Sequence, residues 1–470
     1  MLLLLQSAPL LLLLALLISG RAGPVPACLA ALAASLPAVW LTLPAGTPPL
    51  GFLGQESLRG AFLAVQPISV LAGGLLFHAA VVRLAPAGLP ARPATPRRVF
   101  AATLLGGSFV ESVTGFAVGA VFALAQLRRM GLSGAPAGAL ALLALVLVPW
   151  GGLGPGTALG AALAGLPPQT VALATAWPQV AWLLCLAPVG WHVAAAAGLP
   201  VPGREKLAQL GLMAAVAALL LAANLTLPFE AAGILAAGLP LLAVLWRLDP
   251  PHGAQGWRHA FLALAPWAGL TLTLLLARSW HEAPALQPWP DLPGLPLNHV
   301  AVVLWSVSVL LLALRPRGAL ATAGMALARA RRPVLAMLLY VLLGRWLAGA
   351  GVASGMATAA AAALGPFAAY ALPPLGLLSG IVTGSNVGSN AALMPVQATL
   401  GQAAGLPLAS AAGLHNFAGA AGAGMSFGVT AMIAGLLADG TRPAQIWRLL
   451  ASSMLAVLLC GWAAVAFLLA

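Results

Sequence analysis

The sequence predicts an all-α polytopic membrane protein of about twelve transmembrane helices plus two re-entrant hairpins in an inverted repeat. Three observations predict it. The 470 residues are 61% hydrophobic and 6% charged, where a soluble chain carries about 25% charged residues. Apolar stretches long enough to cross a bilayer recur from end to end, with basic residues in alternate turns. A pattern beginning at Leu104 returns at Leu377. A soluble enzyme, a disordered chain and a disulfide scaffold are excluded. The net charge of +13 is scattered through short loops, which fits membrane topology and not a nucleic-acid face. Cys28, Cys185 and Cys460 lie inside apolar segments and read as small packing residues, with no metal or disulfide implied.

The elements follow from hydropathy and the positive-inside rule. Residues 2–19 read as a first transmembrane helix, with a secretory signal as the alternative. Segments 25–43 and 60–82 cross next, with Arg21 and then Arg83, Arg92, Arg97 and Arg98 in cytoplasmic turns. Segment 99–127 has basic residues on both flanks, since Arg128 and Arg129 follow it. It therefore cannot simply cross, and a hairpin that breaks near 111–119 satisfies the charges. Crossings follow at 136–162, 175–193, 207–226, 231–247, 260–277, 297–314 and 333–350. Segment 375–400 has uncharged flanks and reads as a second hairpin entering from outside; 408–437 and 445–468 complete the chain. Of the 21 basic residues, only Arg59, Arg278 and Arg345 fall off the cytoplasmic side. Trp40, Trp177 and Trp462 suit the membrane interfaces.

Leu104, Leu105, Gly107, Ser112 and Gly115 match identically at an offset of 273, and later glycines match with small gaps. The first repeat would cover about 56–193 and the second about 330–468. The charge rule independently gives the two hairpins opposite orientations. Inverted repeats with broken helices at midplane are the architecture of many secondary transporters, with the site at the repeat interface.

Glu111 is the one acid deep in an apolar segment. A charge at bilayer centre costs roughly 2.5–3.5 kcal/mol on insertion scales. Desolvation favours the neutral carboxyl, which suits a proton carrier; a structural carboxyl bonded to hairpin backbone is the alternative. The second tip, Thr383-Gly-Ser385-Asn386-Val-Gly-Ser389-Asn390, offers glycines for close backbone approach and a half-helix N-terminus for an anion. Capping alone would use the same residue types. His415 and Asn416 open the next broken segment, where the histidine would titrate, donate, or make a helix contact. The small residues around them also suit close helix packing. Arg345 would bind a carboxylate, pair with Glu111, or snorkel. Thr114, Ser112 and Ser108 sit beside Glu111 as further candidates, and His78 reads as structural. No phosphate-binding loop, dinucleotide motif or metal-ligand cluster is present, so neither cofactor nor metal is expected.

Gly107-Ser-Phe-Val-Glu111-Ser-Val-Thr-Gly115-Phe116 resembles the Gly-Ala-Phe-x-Glu-Gly-x-x-Gly-Phe-Gly stretch of bacterial L-lactate permeases. Thr383 to Ala391, Gln397-Ala-Thr399 and Asn416-Phe-Ala-Gly419 with Met425 resemble later motifs of that family in the same order. Asn386 stands where the family has Asp, Gly424 where it has Lys, and Arg345 where it tends to have a small polar residue. The resemblance implies a single transporter domain, multi-pass in the bacterial inner membrane, that imports a small monocarboxylate such as L-lactate or glycolate with protons. Ser385, Asn386, Ser389, Asn390, Asn416, Arg345 and Thr114 would then hold the anion, with Glu111 and His415 coupling protons. Its partners would be the organic anion, protons and the lipid bilayer. A sodium-coupled carboxylate carrier is the alternative. A membrane-embedded enzyme is a more remote one, since it would need clustered acids or a metal set.

Overall fold

Proline and glycine divide this apolar chain into helices. The computed structural model describes residues 2–84 and 93–470, so Arg92 lies outside the described residues. Three helices come first: α1 (Leu2–Ile18), α2 (Pro24–Thr42) and α3 (Pro49–Leu84). Then α4 (Pro96–Phe100) runs through a π-helical stretch, Ala101–Gly107, into α5 (Ser108–Thr114), and the chain turns back as α6 (Val118–Arg129). Next come α7 (Gly134–Leu142), a tight 3-10 segment at Val148–Leu153, and α8 (Pro155–Ala164). Four helices succeed it, α9 (Pro168–Ala196), α10 (Gly203–Thr226), α11 (Phe229–Leu248) and α12 (Gly253–Arg278). A two-stranded antiparallel ribbon, β1 (Ala285–Leu286) with β2 (Leu295–Pro296), leads to α13 (Val300–Ala313). The chain ends with α14 (Ala319–Gly349), α15 (Val352–Leu364), α16 (Leu372–Thr383), α17 (Asn386–Ala403), α18 (Leu408–Gly424), α19 (Phe427–Leu437) and α20 (Pro443–Leu469).

The fold class is the one the sequence predicts: an all-α polytopic membrane protein. Among the described residues, eight helical segments are long and apolar enough to cross a membrane, and the pair α14–α15, bent by 70°, makes a ninth. Twelve crossings are reached only by adding the short apolar helices α1 and α13 and the broken pair α7–α8. Two details differ from expectation. Segment 136–162 is not continuous, because Pro149, Gly151, Gly152, Gly154 and Pro155 interrupt it. Helix α15 and the ribbon are additions that hydropathy does not predict.

The order long helix, hairpin, broken helix, long helix occurs twice. It runs α3, α4–α6, α7–α8, α9, and again α14, α16–α17, α18–α19, α20. The 27 residues of α20 span about 40 Å at 1.5 Å per residue. Near its start, Ile446 lies over Gly138 and the preceding turn binds the end of the first hairpin: Asp439 accepts from the Gly134 N–H at 2.7 Å. Arg128 meanwhile donates to the Leu436 carbonyl at 2.9 Å. Near its end, the Trp462 indole donates to the Tyr370 carbonyl at 2.9 Å and Gly461 receives Pro373, both at the base of the second hairpin. The two hairpin bases thus sit at opposite ends of one long helix.

Close packing holds the second hairpin. Gly376 and Gly380 of α16 face Gly419 and Gly422 of α18 so closely that a Cβ on Gly380 would meet the Gly419 carbonyl and the Ala423 N–H. Small residues allow this approach where lipid supplies no hydrophobic drive between helices.

A candidate anion site between two hairpin tips

The first tip is a three-residue turn. Gly115, Phe116 and Ala117 all have φ between 56° and 68°, a region that costs a non-glycine residue about 1–3 kcal/mol. Among the described residues, only Leu153 and Ala438 share this feature outside glycine. Leu153 lies at the break of α7–α8, so the non-glycine strain concentrates where helices are interrupted. Glu111 spans the first turn. Its Oε1 accepts from the Ala117 N–H at 3.2 Å and its Oε2 from the Gly119 N–H at 3.0 Å. These are orphan donors at the N-terminus of α6, so the carboxyl acts as a cap from across the turn. The bond to hairpin backbone that a structural carboxyl would make, the alternative to a proton carrier, is therefore present, and the carboxyl also lines a cavity.

The second tip is built on Gly384 at φ 70° and Ser385, the N-cap of α17, whose Oγ accepts from the Gly388 N–H at 3.4 Å. The breaks of the other two helices approach the same point. In the first, the Thr157 hydroxyl donates to the Pro149 carbonyl at 2.6 Å, and Gln179 donates to the Val146 carbonyl at 2.6 Å. Interrupted backbone inside a membrane needs such partners. In the second, Ser426 caps α19.

These four interruptions surround one cavity of about 220 Å³. Glu111, Gly115 and Ala117 line it from the first tip, and Gly384, Ser385 and Asn386 from the second. Gly151, Pro155 and Gly156 come from the first break and Gly424 from the second. Among the described residues, Glu111 is the only titratable side chain in this lining, and no Lys or Arg reaches it. Positive potential comes instead from the start of α17.

Behind the cavity lies a buried amide network. The Asn416 Oδ1 accepts from Asn386 at 3.1 Å and from Asn390 at 2.8 Å. Its Nδ2 donates to Thr157 and Thr175 hydroxyls, both at 2.9 Å. Each threonine hydroxyl donates to a backbone carbonyl, of Pro149 or Val171, so its oxygen is left to accept and the orientation of the Asn416 amide follows. Asn390 also donates to the Gly156 carbonyl at 2.8 Å, while its own Oδ1 is unpartnered. The Ser389 hydroxyl and His415 Nδ1 are unpartnered as well, and His415 Nε2 lies 3.3 Å from the Ser389 carbonyl.

The expected residues therefore separate. Glu111, Ser385 and Asn386 line the cavity. Asn390, Asn416, Ser389 and His415 are buried behind it. Thr114 is buried and donates to the Val110 carbonyl at 2.7 Å, away from the lining. Arg345 is elsewhere: it pairs with Glu56 at 2.5 Å, with Arg59 on the same carboxylate, and does not meet Glu111. Glu56 itself lies buried inside α3. Sequence reasoning does not single out Thr157 and Thr175; their only signal is that Thr157 closes a glycine-rich stretch aligned with the one after Asn416.

No family model matches the sequence, and no curated protein matches it. Among solved structures, the chain is similar to the Alcanivorax borkumensis YdaH transporter, described as having an unusual topology. The identity is 16% and the TM-score 0.41, over 92% of this chain and 88% of that one. A likeness of that degree decides nothing about function, which rests on the chemistry of the site.

Proposed function

We infer that this chain is a secondary-active symporter that imports a small monocarboxylate, L-lactate, glycolate or a similar 2-hydroxy acid, with protons across the bacterial inner membrane. The observation that carries this reading is the meeting of two hairpin tips and two helix breaks at one cavity whose only titratable lining, among the described residues, is Glu111. The doubled element order and the opposed hairpin bases support an inverted repeat with the site at its interface.

The substrate carboxylate would sit at the start of α17, near Ser385 and Asn386, with Ser389, Asn390 and Asn416 supporting that tip from behind. An ionised Glu111 and a carboxylate in the same cavity, about 6 Å apart, would repel by about 3 kcal/mol at an effective dielectric of about 20. Protonating Glu111 removes that repulsion, roughly a hundredfold in affinity. Anion and proton are thereby favoured together, which is the thermodynamic content of symport. The sodium-coupled reading draws on one observation, the unpartnered Asn390 Oδ1 and Ser389 Oγ among buried amides and hydroxyls.

The test is uptake of labelled L-lactate into proteoliposomes under an inward proton gradient, then an inward sodium gradient. Proton-driven uptake, lost when the pH gradient is dissipated, is the expected result. Uptake that needs sodium moves the reading to the alternative. Uptake under neither gradient overturns it.

A further inference from the structure

The small cavity is not the whole space. A second chamber of about 620 Å³ adjoins it and shares Phe116, Pro333, Gly384, Ser385 and Val387 with it. Apolar side chains dominate its walls, among them Val25 of α2 and Leu335, Ala336 and Met337 of α14. Four residues with polar side chains interrupt them: Arg332, Tyr340, Thr383 and Ser385. The Tyr340 hydroxyl is buried beside the Cys28 thiol with no nitrogen or oxygen partner. At the rim, Arg332 is exposed and enters no ion pair among the described residues.

Sites for drug-sized ligands occupy about 300–1,000 Å³. The tip cavity falls below that range and suits a carboxylate head. The chamber falls inside it, and a three-carbon acid would leave it unused. An apolar wall of this size rewards an apolar body, at roughly a fourfold gain in affinity for each buried methylene.

The geometry points to an amphipathic monocarboxylate as the favoured substrate: its head lies at the tip cavity and its apolar body lies in the chamber, with Arg332 at the rim attracting the anion as it enters. This rests on the monocarboxylate reading and specifies its substrate class. The first turn of α17, with the backbone N–H groups of Asn386 and Val387 opening the helix, faces the head. Arg332, which the sequence marks only as a cytoplasmic basic residue, becomes the charge that draws the anion to the chamber.

The experiment is competition for labelled L-lactate uptake by straight-chain 2-hydroxy acids of three to six carbons, together with the shift each causes in thermal unfolding of the purified protein. The inhibition constant should fall roughly fourfold per methylene. Ala336→Trp, which places an indole in the chamber, should abolish the dependence on length. Arg332→Gln should raise the constant for every acid by a similar factor. If lactate is carried but the constant is flat or rises with length, the chamber is not part of the site and the functional reading stands without it. If Ala336→Trp keeps the full dependence, the proposal fails as well. If no acid is carried and none shifts unfolding, both readings fall.

Discussion

Replacing Glu111 by Gln tests the centre of this reading. The carboxylate accepts two backbone N–H groups, from Ala117 at 3.2 Å and Gly119 at 3.0 Å. Glutamine has one acceptor oxygen, so one bond survives. The other becomes an NH₂ group facing an N–H group. A hydrogen bond to a charged group contributes about 1.5–3 kcal/mol, and a buried donor left unpaired costs about 1–3 kcal/mol. Against an ionised Glu111, the substitution should therefore destabilise the first tip by about 2–5 kcal/mol. Against a protonated Glu111 it is nearly isosteric, and the cost should fall to about 1 kcal/mol. The two states separate in one assay: thermal unfolding of Glu111→Gln and the parent, measured across pH. The difference should be large at high pH and shrink as pH falls and the parent carboxyl protonates. In proteoliposomes, proton-driven uptake should be lost while exchange of internal for external substrate persists, because the binding face at Ser385 and Asn386 is unchanged. Full proton-driven uptake by Glu111→Gln would remove Glu111 from coupling and leave it as a cap.

Arg345→Ala should lower stability by about 3 kcal/mol, since it removes one partner of a buried carboxylate, and leave the apparent KM for the anion unchanged; a raised KM would return Arg345 to the site. Asn416→Ala breaks four side-chain hydrogen bonds and should cost about 2–5 kcal/mol, read as a fall in Tm; a variant within about 0.5 kcal/mol of the parent would deny the network its structural role. Ser133→Cys and Gln402→Cys, in a background without the native cysteines, should be labelled by a membrane-impermeant reagent from opposite sides; labelling from one side would defeat the inverted arrangement. Asp439, in the turn between α19 and α20, is held below its ordinary carboxylate value by the Thr441 hydroxyl first and the Gly134 N–H next. Its contribution is full above the ordinary value and lost as pH falls through the lowered one, so protection of the Gly134 amide, relative to its intrinsic exchange rate, should fall as pH drops below the ordinary carboxylate value.

Much of this arrangement is legible in the sequence because breaks have chemical signatures. The first hairpin turns at 115–117, inside the expected 111–119, since basic flanks forbid a crossing and glycine marks the turn. The second spans 372–403 against an expected 375–400. The interruption near Trp150 is equally marked by its glycines and prolines, but an average over the window hides it. Helix α15 escapes because its alanine-rich stretch is only moderately hydropathic. The direction of a side chain is harder to read. Asn416 is recognisable as a polar residue at a broken helix, yet its partners, Thr157 and Thr175, lie on other helices and more than 200 residues away. The partner of Arg345 is likewise 289 residues distant, so hydropathy alone leaves carboxylate binding and a structural ion pair equally open.

The saturated amide of Asn416 has a consequence for movement. It ties α18 to α17 through two asparagines, to α8 through Thr157 and to α9 through Thr175. Displacing any one of these helices against the others breaks at least one buried hydrogen bond. Any relative movement of these four helices therefore works against the network. The first tip has no comparable lock; it rests on a strained turn and two bonds to one carboxyl. The group that holds this turn in place is the same carboxyl that the proposed mechanism protonates, so on that reading proton uptake acts directly on the geometry of the first tip.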